Sequence, residues 1–229
     1  MRALITGGTR GIGLACCRLF FRMGFEVVAL YSSDESAAQT ARKELPDVRF
    51  LRADVSDEQR MREVFAEIGP IDVLVNNAGI DAFAQVQDMS YSDYHRVMDV
   101  NMGGTFLATK FAVPAMLSRG GAIVNVSSVW GVQGGSCESV YSASKGAMIA
   151  FTKALSKELA PAVRVNAIAP GAIDTVMNAC YTPEERAEIE NRIPLGRFGT
   201  PEEVAEAVYF LATCRYVTGQ VLGVDGGGI

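Results

Sequence analysis

Tyr141 and Lys145 stand four residues apart in the run Tyr141-Ser142-Ala143-Ser144-Lys145, and Ser128 lies thirteen residues before the tyrosine. Residues i and i+4 share one face of a helix, so this spacing sets an ammonium beside a phenol. A free tyrosine has a pKa of about 10 and is a poor acid–base catalyst near neutrality. A fixed positive charge nearby favours phenolate and lowers that value. A serine hydroxyl arriving from another segment can hold a carbonyl or alcohol oxygen against the same phenol. The three groups together are equipment for moving a proton on or off oxygen during a carbonyl/alcohol interconversion. The Tyr/Lys spacing alone is weak, because such a pair more often decorates a solvated helix face. The weight falls on the elements that bring the three together.

Those elements alternate. Short β-branched runs at residues 3–6, 26–30, 49–52, 73–75, 122–126, 164–168 and 220–224 read as strands. Helical patterns occupy 12–23, 35–45, 58–68, 92–117, 140–159, 183–191 and 201–212. Such alternation predicts βαβ units and a parallel sheet. Strands apolar on both faces predict helices on both sides. A chain of 229 residues, 49% apolar and 21% charged, suits one domain with a core that needs no disulfides. The expectation is a single α/β domain over residues 1–229, a doubly wound Rossmann-type fold with a seven-stranded parallel sheet. In the 92–117 helix, Val97, Val100, Phe106, Phe111, Val113 and Leu117 form a stripe expected mostly in the core. Ala147, Phe151 and Leu155 do the same on the tyrosine helix. Long helices this apolar also suit packing against another subunit, and a homo-oligomer is expected.

Composition removes several classes. The five cysteines (Cys16, Cys17, Cys137, Cys180 and Cys214) are odd in number and show no C-x-x-C, as expected of buried or half-buried thiols in a reducing compartment. No apolar run suggests a signal peptide or a membrane span, and the protein is expected to be soluble and cytoplasmic. A net charge of −5 and no Lys/Arg block longer than two leave no footprint for nucleic acid. His95 is the single histidine, too few for a metal site or a hydrolase triad, and it is expected at the surface. Ser128 has no G-x-S-x-G elbow around it.

The first strand runs into Thr6-Gly7-Gly8-Thr9-Arg10-Gly11-Ile12-Gly13 and then a helix. Glycines at a strand-to-helix turn let backbone approach a pyrophosphate, and the helix start supplies unpaired N–H groups. The spacing G-x-x-x-G-x-G differs from the common G-x-G-x-x-G, and its position at the first βα turn gives it meaning. After the second strand, where an acid would take the ribose 2′-hydroxyl of NAD, the chain reads Leu30-Tyr31-Ser32-Ser33. Arg10 supplies a cation for a 2′-phosphate, with Ser32 or Ser33 as hydrogen-bond donors. The expected cofactor is NADP(H), although Asp34 and Glu35 follow closely and oppose it.

With the T-G-x-x-x-G-x-G at residues 6–13, Asn76-Asn77-Ala78-Gly79, Asn101, Ser128, the Tyr141/Lys145 pair and Pro170-Gly171, the chain resembles the short-chain dehydrogenases/reductases over essentially its whole length. The resemblance implies that Tyr141 protonates the carbonyl oxygen and that Ser128, rather than Ser127, orients it. It implies that Lys145 lowers the tyrosine pKa and binds the nicotinamide ribose, and that Asn101 holds a water linking Lys145 to solvent. Gly7, Thr9, Arg10, Gly11, Ile12 and Gly13 would cradle the cofactor. Ser32, Asp54, Val55, Asn77, Ala78 and Gly79 would line its adenosine side, and Pro170, Gly171, Ile173 and Thr175 its nicotinamide side. No metal is implied. Each residue also has an ordinary structural use: Asn76 and Asn77 as turn formers, Asn101 as a partner for a helix carbonyl, and Asp54 as the cap of the helix starting near Ser56.

Within that family, residues 163–171, 193–204 and 218–227 are most similar to 3-oxoacyl-acyl-carrier-protein reductases. The short 173–194 segment suggests an open site suited to a carrier-borne ketone, and a tetramer is implied. The stretch from Gly135 to Tyr141 looks like the related reductases acting on 5-aminopentanone-modified elongation factor P, with Glu138 placed to attract an amine. Cys137 beside it has either a packing or a substrate-facing use. A hydroxysteroid or other alcohol dehydrogenase, or a nucleotide-binding protein without catalysis, remain as alternatives on the same fold.

Overall fold

The sheet grows outward from its middle strand in both directions. The structure is a computed structural model that describes residues 1–179 and 181–228, so Cys180 lies outside the described residues. Strands β1 (Arg2–Thr6), β2 (Glu26–Tyr31), β3 (Arg49–Arg52), β4 (Val73–Asn76), β5 (Gly121–Val126), β6 (Val163–Pro170) and β7 (Val221–Val224) form one seven-stranded sheet in the order β3-β2-β1-β4-β5-β6-β7. Every neighbouring pair is parallel. The seven predicted strands are all present, their ends displaced by one or two residues.

Successive side chains of a strand point to opposite faces, and both faces here are covered. Ala3, Ile5, Val27, Ala29, Val73 and Val75 pack with α1 (Gly11–Arg22), α2 (Glu35–Glu44) and α9 (Pro201–Thr213). Leu4, Val28, Leu30, Leu74, Ile123 and Val165 pack on the other side with α3 (Glu58–Ile68), α5 (Gly104–Arg119) and α7 (Ser139–Glu158). An edge-to-face cluster of Phe20, Phe25 and Tyr209, with centroids 5.1 to 6.3 Å apart, fastens α9 to α1. Cys16 and Cys17 are buried in the first of these cores, and Cys137 and Cys214 are half-buried.

The chain winds one way from β1 to β3, then returns to β4 and winds the other way. The reversal leaves a crevice beyond the C-terminal ends of β1 and β4, where open α/β sheets bind ligands. The glycine-rich turn follows β1, and Asn77-Ala78-Gly79 follows β4. Both land at the crevice because the topology puts them there.

The predicted 92–117 helix is not continuous. It is α4 (Tyr91–Met98), a π-helical turn (Asp99–Gly103) and α5, with Pro114 inside the last. The wider turn shifts the apolar stripe, so the expected core face is only partly buried. Val97 is buried, Val100, Phe111 and Val113 are half-buried, and Phe106 and Leu117 are exposed. Leu107, Ala108, Ala112 and Met116 face the core instead. On α7, Leu155 is buried, while Ala147 and Phe151 are half-buried. A four-residue helix, α6 (Trp130–Gln133), and a 3-10 turn (Val176–Asn178) were not expected; α8 (Pro183–Glu190) was. His95 is exposed, in ring contact with Tyr91 and Tyr94. Among the described residues, no helix is long and apolar enough to cross a membrane and no His/Cys/Asp/Glu cluster could hold a metal.

Candidate active site

Of the predicted site residues, all but Gly13 and Asn101 border one cleft of about 560 Å³ at the crevice. That is the size of a small-molecule or cofactor site. The glycine turn shapes one end. Gly11 has φ +51°, a left-handed conformation that favours glycine, and a Cβ there would meet Thr175 Cγ2 at 3.4 Å. Gly13 is needed by the protein itself: a Cβ on it would lie 2.1 Å from the Gly7 carbonyl oxygen. The turn is therefore closed on its own backbone, with α1 beginning directly beneath the cleft.

Two residues after β4 clamp this turn. The Asn77 carboxamide nitrogen donates to the Thr6 and Gly7 carbonyls at 2.8 and 3.1 Å. The Thr6 hydroxyl accepts from the backbone N–H groups of Asn77 and Ala78, both at 2.9 Å. Asn77 thus borders the cleft while its amide nitrogen positions the glycine loop. Thr6 stood in the motif but was not assigned a role. At the adenosine end, Asp54 Oδ1 accepts from Ser56 N at 2.9 Å and Ser56 Oγ at 2.7 Å. It does not cap α3; Asp57 does, accepting from Arg60 N at 3.0 Å.

The other end holds the proton-transfer groups. Ser128 follows β5, its hydroxyl accepts from Trp130 N at 3.1 Å, and it lies near enough to the Tyr141 phenol to lower that group's pKa. Ser127 turns the other way and donates to the Lys145 carbonyl at 2.8 Å, tying α7 to β5. A Cβ on Gly131 would lie 2.7 Å from the Lys145 carbonyl carbon, so α6 lies directly against α7 at the lysine. Ser127 was set aside in favour of Ser128 as the residue that orients the oxygen, and Gly131 was not singled out.

Lys145 is buried, and its ammonium donates to the Val126 carbonyl at 2.8 Å. It lies 5.6 Å from the centroid of the Tyr141 ring. Burial lowers the lysine pKa to about 8. Burial also raises the tyrosine pKa well above its ordinary 10, against the smaller lowering by Ser128. The expected acidification of the phenol is thus not found: desolvation, together with the charges of Asp81 and Glu138, raises its pKa.

Asn101 sits in the π turn, fully buried. Its carboxamide brackets Ile80, accepting from the backbone N–H at 2.8 Å and donating to the carbonyl at 2.9 Å. It also donates to Ser144 Oγ at 2.9 Å, and Ser144 donates to the Tyr141 carbonyl at 2.7 Å. A Cβ on Gly79 would lie 3.3 Å from both Asn101 Oδ1 and Lys145 Nζ, so these two groups converge on that glycine.

An acidic pair stands by the phenol. Glu138 precedes α7, is half-buried, and lies near the Trp130 side chain, which slightly lowers its pKa. Burial, then the nearby charge of Asp81, raises its pKa to about 7. Burial likewise raises that of Asp81, which lines the cleft. Cys137, with φ 62°, accepts from Ala84 N at 2.8 Å and so joins the two segments. Asp81 carried no recognisable motif.

Known proteins are similar to this chain over nearly its whole length. Residues 7–228 match a short-chain dehydrogenase family model described as enoyl-(acyl carrier protein) reductase. The 3-oxoacyl-[acyl-carrier-protein] reductase FabG of Thermotoga maritima is 44% identical over 235 residues, covering 98% of this chain and 96% of that protein. Carbonyl reductase family member 4 of Danio rerio is 44% identical over 232 residues, with the same coverage. The uncharacterized oxidoreductase YmfI of Bacillus subtilis is 38% identical over 235 residues, covering 98% and 97%. A crystal structure provisionally assigned as a betaketoacyl-ACP reductase superposes with a TM-score of 0.92 at 35% identity, covering 100% of this chain and 97% of the other. The chain belongs to the short-chain dehydrogenase/reductase family of nicotinamide-dependent oxidoreductases.

Proposed function

We propose that the protein is an NADPH-dependent ketoreductase of the 3-oxoacyl-[acyl-carrier-protein] type. The observation that carries this reading is the convergence of Ser128, Tyr141 and Lys145 on one cleft, with the Lys145 ammonium 5.6 Å from the centre of the tyrosine ring. The cleft residues from Gly7 to Thr175 would hold a nicotinamide cofactor, which when bound would supply hydride to the carbonyl carbon. Ser128 holds the carbonyl oxygen, and Tyr141 gives that oxygen its proton. A buried phenol with a raised pKa is fully protonated at neutral pH, the state an acid needs before it acts. Lys145 acts at the next moment: the phenolate left behind is an anion in a desolvated site, and the fixed cation stabilises it as it forms. Lys145 thus favours the ionised product of the step, and Asn101 holds the loop and the helix that frame it.

The preference for NADPH rests on Arg10 and Ser32 at the cleft and on the lack of an acid at the end of β2. The carrier-borne 3-oxoacyl substrate rests on the names of the relatives. A second reading has its own support. The Asp81/Glu138 pair adds negative potential beside the reacting oxygen, which suits a ketone bearing an amine, such as one carried on elongation factor P. A fatty 3-oxoacyl chain has no use for it.

Loss of NADPH absorbance with an acetoacetyl thioester, set against a ketone carrying a terminal amine, separates the two. Turnover of the thioester with a higher kcat/KM for NADPH than for NADH supports the first reading. Turnover of the amine-bearing ketone alone, lost in Glu138→Ala, supports the second. A higher kcat/KM with NADH contradicts the cofactor assignment.

A further inference from the structure

We propose that Asp34 sets the cofactor preference by competing with a 2′-phosphate for Arg10, an inference that rests on the NADPH reading above. Two acids follow β2, and the structure separates them. The Glu35 carboxylate accepts from the Tyr31 hydroxyl at 2.7 Å and from Arg42 at 2.6 Å, so its charge is already matched within α2 and β2. Asp34 remains at the cleft wall with Arg10, Ser32 and Ser33. One of its oxygens caps α2, accepting from Ala37 N at 2.9 Å. The other faces Arg10 Nη1 at 3.3 Å.

Arg10 has no second duty. It precedes α1 without a side-chain capping bond, and its side chain is 61% exposed. Its guanidinium is therefore shared between one internal carboxylate and whatever anion enters the cleft. An exposed ion pair of this kind is worth at most about 1 kcal/mol. A phosphate carries a charge of roughly −1.5 to −2 and three acceptor oxygens, so it displaces the carboxylate. The displaced Asp34 stays near the phosphate because its other oxygen is fixed on the helix, and its charge then opposes binding. For a cofactor with a 2′-hydroxyl, the same carboxylate is an acceptor and no such opposition arises.

Asp34→Asn removes the charge and keeps a good N-cap residue. Titration calorimetry with adenosine 2′,5′-bisphosphate and with AMP reads the 2′-phosphate contribution without any turnover. The ratio of the AMP Kd to the bisphosphate Kd rises by about three- to fivefold in Asp34→Asn, the equivalent of up to ~1 kcal/mol. The gain is smaller when Asp34→Asn is made in the Arg10→Ala background and compared with Arg10→Ala alone, because only the direct repulsion is then relieved; an equal gain in both backgrounds overturns the competition for Arg10. An unchanged or lower ratio in Asp34→Asn overturns the competition, whatever the wild-type ratio is. A wild-type ratio at or below one overturns the NADPH reading by itself. Circular dichroism melts of each variant show that α2 remains folded.

Discussion

The Lys145 ammonium points at the main chain of β5, 2.8 Å from the Val126 carbonyl, and stands 5.6 Å from the centre of the Tyr141 ring. The pair is therefore close without being hydrogen-bonded ammonium to phenol. The lysine is held by the strand that leads into Ser128 and shares α7 with Tyr141, so it links the two supports. Burial keeps the phenol protonated and leaves the lysine charge easily lost. That combination gives the site a pH dependence of definite sign.

Burial holds the Lys145 pKa at about 8, so its charge is present below that pH and lost above it. The kcat/KM for ketone reduction reports ionisations of the free enzyme. It should be level between pH 6 and 7 and decline about tenfold per pH unit well above 8. A level profile through about pH 10 would show that the cation is not required.

Glu138 gives a stability signal that is separate from turnover. Its pKa of about 7 in the folded protein lies above the ordinary 4.5. Between those values the folded chain binds more protons than the unfolded one, so stability falls as pH rises. Glu138→Gln removes this fall. The melting temperatures of variant and wild type should nearly coincide at pH 4.5, and the variant should melt higher at pH 8. An equal gap at both pH values contradicts the buried-carboxylate account.

Gly13→Ala tests the closure of the nucleotide turn on its own backbone. The added methyl has the Gly7 carbonyl oxygen 2.1 Å from its ideal position. Overpacking of this sort costs about 1–3 kcal/mol. Urea denaturation should show a loss in that range, accompanied by weaker AMP binding because Gly7 and Asn77 move together. An unchanged midpoint with unchanged AMP affinity would mean that the turn is looser than described.

What was legible beforehand follows from where the physics is local. Strand runs such as residues 49–52 and helix 58–68 are found at the expected positions because their periodicity is local, although the cap is Asp57 and not Asp54. The three proton-transfer groups were recognisable from type and spacing. The π turn at Asp99–Gly103 was not, because Asn101 is drawn to Ile80 and Ser144 by contacts distant in sequence. The same is true of the tyrosine's pKa. Proximity of a lysine is visible in four letters, whereas the burial that overrides it depends on the whole surrounding fold. Asp81 acquires its place beside Glu138 only once the loop after β4 crosses the entrance to α7.

The central claim is that Tyr141 hands its proton to a ketone oxygen beside a bound nicotinamide. Tyr141→Phe removes only the phenolic oxygen and leaves the ring to fill its space. With NADPH and an acetoacetyl thioester or amine-bearing ketone, the variant should oxidise cofactor at least about 10²-fold more slowly, the lower end of a general-acid contribution, while its NADPH Kd stays within twofold of wild type. Turnover at the wild-type rate with cofactor still bound would contradict the account.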